Sequence, residues 1–161
     1  MIDVECGNCG CNTTPACPEY EDDGRPSWDK VWMNVAHTIS ERSVDPRHQV
    51  GAIIVTEDNT QLLALGYNGN YKGGPNTVES EEPGHSGLIH AEQNAICDCA
   101  KRGVSCLNAK AYITHYPCLN CCKILLSSGI NEIYYLEDYK NDEIVPLLCK
   151  QKNVKLINIL I

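Results

Sequence analysis

The sequence has no phenylalanine, no apolar run of membrane-spanning length and no surplus of positive charge. A spanning helix needs about 18 or more consecutive apolar residues, so no membrane partner is expected. The opening residues lack the basic n-region and apolar h-region of a secretory signal, and the expectation is a cytoplasmic protein. Thirteen Lys and Arg against 21 Asp and Glu leave a formal net charge of -8. That argues against broad nucleic-acid binding, where a basic face supplies most of the affinity. A small anionic ligand needs only a few cations or a helix N-terminus, so it stays open. Tyrosine occurs eight times where phenylalanine is missing; the bias has no functional reading by itself.

Cysteine is plentiful, with eleven in 161 residues. A chain of this length is expected to form one domain and to bury a core without disulfides. In a reducing compartment such thiols ligate metal or sit buried as small apolar groups, and their spacing decides between the two.

Residues 1–26 carry Cys6, Cys9, Cys11 and Cys17, three prolines and an acidic patch, with no helical or strand period. They read as a Cys-rich appendage, and 27–161 as the main domain. Ser27 is a candidate N-cap for a helix over about 28–42, with Val31, Val35, Thr38 and Ile39 near one face. Residues 50–55 and 61–66 read as a hairpin. The glycine- and proline-rich stretch 67–87 is a long loop, and such loops are often functional. Helices follow over about 90–101, 118–128 and 142–150, and strands over 111–114, 133–136 and 154–159. Gly129 is a candidate helix terminator. The order α-β-β-α-β-α-β-α-β points to an α/β layered domain, a mixed central sheet of about five strands flanked by helices.

His90-Ala91-Glu92 opens one predicted helix and Pro117-Cys118-Leu-Asn-Cys121 opens another. Cys118 and Cys121, at i and i+3, share a helix face. Helix N-termini favour thiolates, the forms that bind zinc. Pro117 costs little there because the first helical N–H groups lack intrahelical partners. Two thiolates and an imidazole leave the fourth tetrahedral position open, as in catalytic zinc sites. A lone Cys-x-x-Cys is equally a redox pair or half a structural site, and a lone His-Ala-Glu is common at helix starts. Together and in this order they form the signature pair of zinc-dependent nucleobase deaminases, in which the Glu is the acid/base and not a ligand. Zn2+ would be held by His90, Cys118 and Cys121, with Glu92 moving the protons.

Further blocks carry a family resemblance: Asp45-Pro46, residues 49–55, Gly66-Tyr67-Asn68-Gly69, residues 90–96, residues 114–121, Ser128-Gly129-Ile130, residues 133–135 and Tyr139. Over residues 28–142 the chain resembles the deoxycytidylate (dCMP) deaminases of the cytidine deaminase superfamily. The resemblance implies a three-layer cytidine-deaminase-like fold. It implies hydrolysis of dCMP to dUMP and ammonia, supplying thymidylate synthesis. It also implies a hexamer activated by dCTP and inhibited by dTTP. In site terms it gives Asn68 a hydrogen bond to the deoxyribose or to an effector. The Ala91 N–H would meet the pyrimidine carbonyl, and Tyr116 would line the pocket. Tyr67, Gly69 and Lys72 become candidate effector contacts. Gly66–Gly69 also reads as a plain turn after a strand.

The loop after Gly69 departs from the family pattern, which leaves substrate and effector details open. Arg47, Lys72 and Arg25 are candidate phosphate partners, each equally readable as a solvated charge. Cys122 stands where Ala is common and reads as a packed thiol. Some relatives hold a second, structural zinc, for which His85, His48 and an N-terminal cysteine are candidates. Cys6, Cys9, Cys11 and Cys17 are ligands of a small metal site or reactive thiols. Two other functions remain. One is a deaminase for cytidine, guanine, tRNA adenosine or a riboflavin precursor; the other is a zinc-binding interaction module.

Overall fold

The computed structural model describes residues 24–82 and 85–159. Five strands form one sheet in the order β2-β1-β3-β4-β5. They are β1 (Gly51–Val55), β2 (Leu62–Tyr67), β3 (Lys110–His115), β4 (Glu132–Glu137) and β5 (Lys155–Asn158). β1 pairs antiparallel with β2 and β3, whereas β3–β4 and β4–β5 are parallel, so the sheet is mixed. The helices are α1 (Trp28–Ser40), α2 (Ala91–Arg102), α3 (Leu119–Ser128) and α4 (Ile144–Gln151). All nine elements lie where the sequence pattern places them, with ends shifted by one or two residues.

β1 is buried along its whole length, and its alternate residues serve two cores. Ile53 and Val55 join Met33 and Ala36 of α1 with Tyr112 and Tyr134. Ala52 and Ile54 join Ala91, Ala95, Cys122 and Leu125 of α2 and α3, and Val145 and Cys149 of α4. One helix therefore covers one face of the sheet and three cover the other, which makes three layers. Side chains alternating across a strand dictate this division.

Ser27 caps α1 as expected, accepting from the Lys30 N–H at 3.3 Å. The buried stripe of α1 is Met33, Ala36 and Ser40, while Val35 and Ile39 are half-buried and Thr38 is exposed. The stripe is turned from the expected one because Gly51 lets β1 approach Ala36. A Cβ at residue 51 would lie 1.9 Å from the Ala36 carbonyl oxygen. The tyrosine excess acquires a physical reading here. Tyr112 and Tyr134 stack at 4.6 Å inside the α1 core. Their hydroxyls donate to Asp29 and Glu132, both at 2.6 Å. A buried tyrosine needs such a partner, and each of these has one.

Candidate active site

The site lies where α2 and α3 begin. His90 is the residue before α2, with extended backbone (φ -67°, ψ 155°), and its N–H donates to Gln93 Oε1 at 3.2 Å. Cys118 takes the same place before α3 (φ -66°, ψ 163°), and its sulfur accepts from the Cys121 N–H at 3.5 Å. Strand β3 ends at His115, so Tyr116 and Pro117 carry the chain directly from the sheet into this cap.

His90 Nδ1 lies 3.7 Å from Cys118 Sγ and 3.4 Å from Cys121 Sγ. The three donor atoms lie within 4.8 Å of one another and are the one such group among the described residues. Zinc–sulfur and zinc–nitrogen bonds of about 2.3 and 2.0 Å at a tetrahedral angle put S and N roughly 3.5 Å apart. The observed nitrogen–sulfur spacings bracket that value, as a zinc site requires.

Electrostatics agree with that fit. The Cys121 S–H and then His90 donate toward Cys118 and draw its thiol down to about 4. Cys121 is held well above its usual range by the same contact with Cys118 and by burial. The hydrogen bond to Cys118 raises His90. Glu92, in the first turn of α2, is only 4% exposed. Burial raises its carboxyl, against its own backbone N–H and the charge of His90.

A cavity of about 710 Å³ opens beside these groups. Its metal end is lined by His90, Ala91, Glu92, Tyr116 and Cys118, and elsewhere Asp45, Arg47, His48, His115, Tyr139 and Lys140 surround it. Asn68 is also in its wall, but its amide already braces the chain. Asn68 Oδ1 accepts from the Val50 N–H and Nδ2 donates to the His48 carbonyl, both at 2.8 Å. One N–H and one lone pair of that amide remain for a ligand. Tyr116 is buried, with its ring edge-on to Tyr135 at 5.0 Å and its hydroxyl donating to the Asp142 carbonyl at 3.2 Å.

Of the three candidate phosphate cations, Arg47 alone lines this cavity. Lys72 is tied to Asp98 of α2 at 2.7 Å, and Arg25 lies outside the lining. Tyr67 and Gly69 lie outside it too; Tyr67 accepts from Asn94 at 2.9 Å, and Gly69 pairs with Ile89. His85 is exposed and belongs to no metal-binding group among the described residues. Cys6, Cys9, Cys11 and Cys17 lie outside the described residues. Cys122 is a packed thiol, fully buried against Cys149.

Sequence reasoning missed His115 and Lys140 and considered His48 only for a second metal. His48 packs on Tyr139 at 4.7 Å and on His115 at 6.1 Å, and Lys140 sits 5.5 Å over the Tyr139 ring. Burial holds His115 below its ordinary range although Glu137 lies 3.4 Å away. One signal was available: His115 stands three residues before Cys118, at the end of the strand that delivers it.

Residues 26–137 match the family model of the cytidine and deoxycytidylate deaminase zinc-binding region. The chain belongs to this family. It is 40% identical over 134 residues to ComE operon protein 2 of Bacillus subtilis, covering 81% of this chain and 70% of that protein. It is 32% identical over 126 residues to human deoxycytidylate deaminase, covering 71% of this chain and 67% of the relative. The crystal structure of dCMP deaminase from cyanophage S-TIM5 with dCMP and dUMP superposes with a TM-score of 0.75 at 31% identity. It covers 84% of this chain and 98% of the phage protein. As a member of this zinc-binding deaminase family, the chain uses zinc as its cofactor, and the His90, Cys118 and Cys121 donor group is positioned to hold a metal.

Proposed function

We propose that the protein is a zinc-dependent hydrolase that converts dCMP to dUMP and ammonia, supplying dUMP for thymidylate synthesis. The observation that carries the reading is a buried carboxyl, Glu92, in one cavity with Arg47, Lys140 and two members, His90 and Cys118, of a His/Cys/Cys donor group. His90, Cys118 and Cys121 are the ligands in this reading. Zinc held there supplies a nucleophilic water at neutral pH by lowering that water's pKa to roughly 7.

Glu92 has two tasks. Its carboxylate takes a proton from the water, and burial strengthens its hold on that proton until a better acceptor arrives. The cytosine N3 is that acceptor, and protonation there prepares C4 for attack. After the water oxygen has bonded to C4, Glu92 takes the remaining proton of that water and delivers it to the 4-amino group; the C4–N bond breaks, ammonia leaves, and the carboxylate is restored. Ala91, at the first position of α2, offers its N–H to the pyrimidine carbonyl. Tyr116 closes the wall beside the base, and Asn68 uses its remaining amide valences toward the sugar. The 5′-phosphate falls to Arg47, with His48 and Lys140 beside it. Arg47 is 32% exposed and lies 3.9 Å from Asp45, so its guanidinium is free enough to reach a ligand.

A purely structural zinc module needs four protein ligands and has no use for a buried acid. The three-donor group with Glu92 supports the enzyme over that reading. Residues 27–161 are taken as the catalytic domain and 1–26 as an appendage. The resemblance further supports a homo-oligomer, a hexamer, with dCTP and dTTP as effectors. No helix among the described residues is long and apolar enough to cross a membrane, and a cytoplasmic location is part of the same proposal. The test is ammonia release from dCMP, CMP, deoxycytidine, dCTP, cytidine and guanine, with dCTP and dTTP then added to the dCMP assay. A faster rate with any other member of the panel rejects dCMP as the substrate.

A further inference from the structure

Cys122 on α3 and Cys149 on α4 place their sulfurs 3.8 Å apart. Both are buried, at 0% and 2% exposure. The deamination chemistry uses neither. Cys149 also lines a second cavity, of about 600 Å³, between α4 and the β4–β5 edge. That space is open to solvent on one side and far larger than a peroxide molecule. Cys122 does not line this cavity, so Cys149 is the member of the pair next to it.

We propose that Cys122 and Cys149 are a dithiol modification site that hydrogen peroxide converts to an intramolecular disulfide, and that this bond slows the active site through Cys121. Cys149 is the member of the pair that lines the cavity, and its thiolate is the reactive form. The Cys149 sulfur attacks one peroxide oxygen. An S–O bond forms, the O–O bond breaks, and the departing hydroxide leaves as water. Cys149 is now a sulfenic acid, which condenses with a neighbouring thiol. The Cys122 sulfur attacks it, the S–S bond forms, the S–O bond breaks, and a second water carries off the Cys122 proton. Two thiols lose two electrons in all, and one peroxide gains them.

A disulfide needs its sulfurs about 2.05 Å apart, so this pair must close by about 1.8 Å. The closing draws α3 toward α4. Cys122 directly follows Cys121, so the pull is felt at a metal donor. Tyr116 lines both cavities and leans on the Asp142 carbonyl just before α4, so the substrate wall moves with it.

The zinc-loaded full chain is treated with hydrogen peroxide, then mapped by non-reducing peptide mass spectrometry with zinc content measured alongside. The expected result is a peptide linking Cys122 to Cys149, formed while zinc is retained and lost with dithiothreitol. Turnover falls several-fold in parallel and recovers on reduction. Cys149→Ser should abolish both changes and leave untreated turnover unchanged. The exposed Cys97 serves as an internal standard for the oxidant dose. Oxidation of Cys97 without the 122–149 link overturns the proposal. So does zinc loss before the link appears, or full turnover in the linked enzyme. Only the turnover arm rests on the deaminase reading; the link and the zinc are read by mass, so the two ideas fail separately.

Discussion

Gly66 and Ala91 meet backbone to backbone: a Cβ at residue 66 would lie 2.2 Å from the Ala91 carbonyl oxygen. The same Cβ would lie 2.6 Å from the Ala95 nitrogen. No side chain can give way there, because the obstructing atoms are the backbone of α2. Gly66→Ala must push α2 off the sheet, and α2 carries Glu92 and directly follows His90. The expected loss is about 3 kcal/mol, the upper end of ordinary overpacking. Urea unfolding checks it, and zinc content should fall with stability.

Glu92→Gln keeps the shape of the side chain and removes its proton chemistry. Zinc content should stay at the wild-type value, because Glu92 is not among the donor group. Turnover of dCMP should drop by roughly 10²–10⁴-fold, the usual worth of a general acid/base. Near-normal turnover would remove Glu92 from the mechanism.

Metal removal tests the His90, Cys118 and Cys121 set. Chelation should abolish turnover and lower the melting temperature, and added zinc should restore both. At a zinc concentration 100 times Kd, binding stabilises the native state by about 2.7 kcal/mol. Cys118→Ser should weaken this response and leave the chain folded without metal. If its melting temperature still rises with zinc as in the wild type, Cys118 is not a ligand.

Substrate preference should reside in Arg47. A hydrogen bond to a charged group is worth about 1.5–3 kcal/mol, so Arg47→Ala should cut kcat/KM for dCMP by roughly 10–150-fold. Deoxycytidine has no phosphate, and its kcat/KM should barely move. An equal fall for both substrates would place Arg47 in the scaffold.

Nearest-neighbour patterns carried most of what the sequence disclosed. The helix starts at His90 and Cys118 were legible because metal ligands must share short, fixed spacings. β1 was legible because five apolar residues in a row need burial on both faces. The ion pair of Lys72 with Asp98 was not legible because the two residues are 26 apart in sequence. His48, His115 and Lys140 were missed as cavity residues for the same reason. They sit before β1, at the end of β3 and after β4, and only the closed sheet brings them round one cavity. The buried stripe of α1 depended on a glycine in another element, which no helical period reports.

Glu132 provides a test by pH. Its side chain is 12% exposed and lies between Lys155 at 2.7 Å and Lys110 at 3.5 Å, while the Tyr134 hydroxyl donates to it at 2.6 Å. Burial alone would raise its carboxyl. The hydrogen bonds from Lys155 and Tyr134 and the charge of Lys110 outweigh burial, and the group titrates below its ordinary value of 4.5. A carboxyl with a depressed folded-state pKa binds protons more weakly folded than unfolded. Its contribution is therefore full above about 4.5 and is lost as pH falls through the lower folded value. Glu132→Gln should destabilise the protein at pH 7 by about 1–3 kcal/mol, the cost of losing a charged hydrogen-bonded partner. The gap between variant and wild type should narrow as pH drops below about 4.5. Urea midpoints measured from pH 7 to pH 4 decide it. A gap that stays constant over that range would mean the loss is one of packing, with the charge of Glu132 contributing nothing.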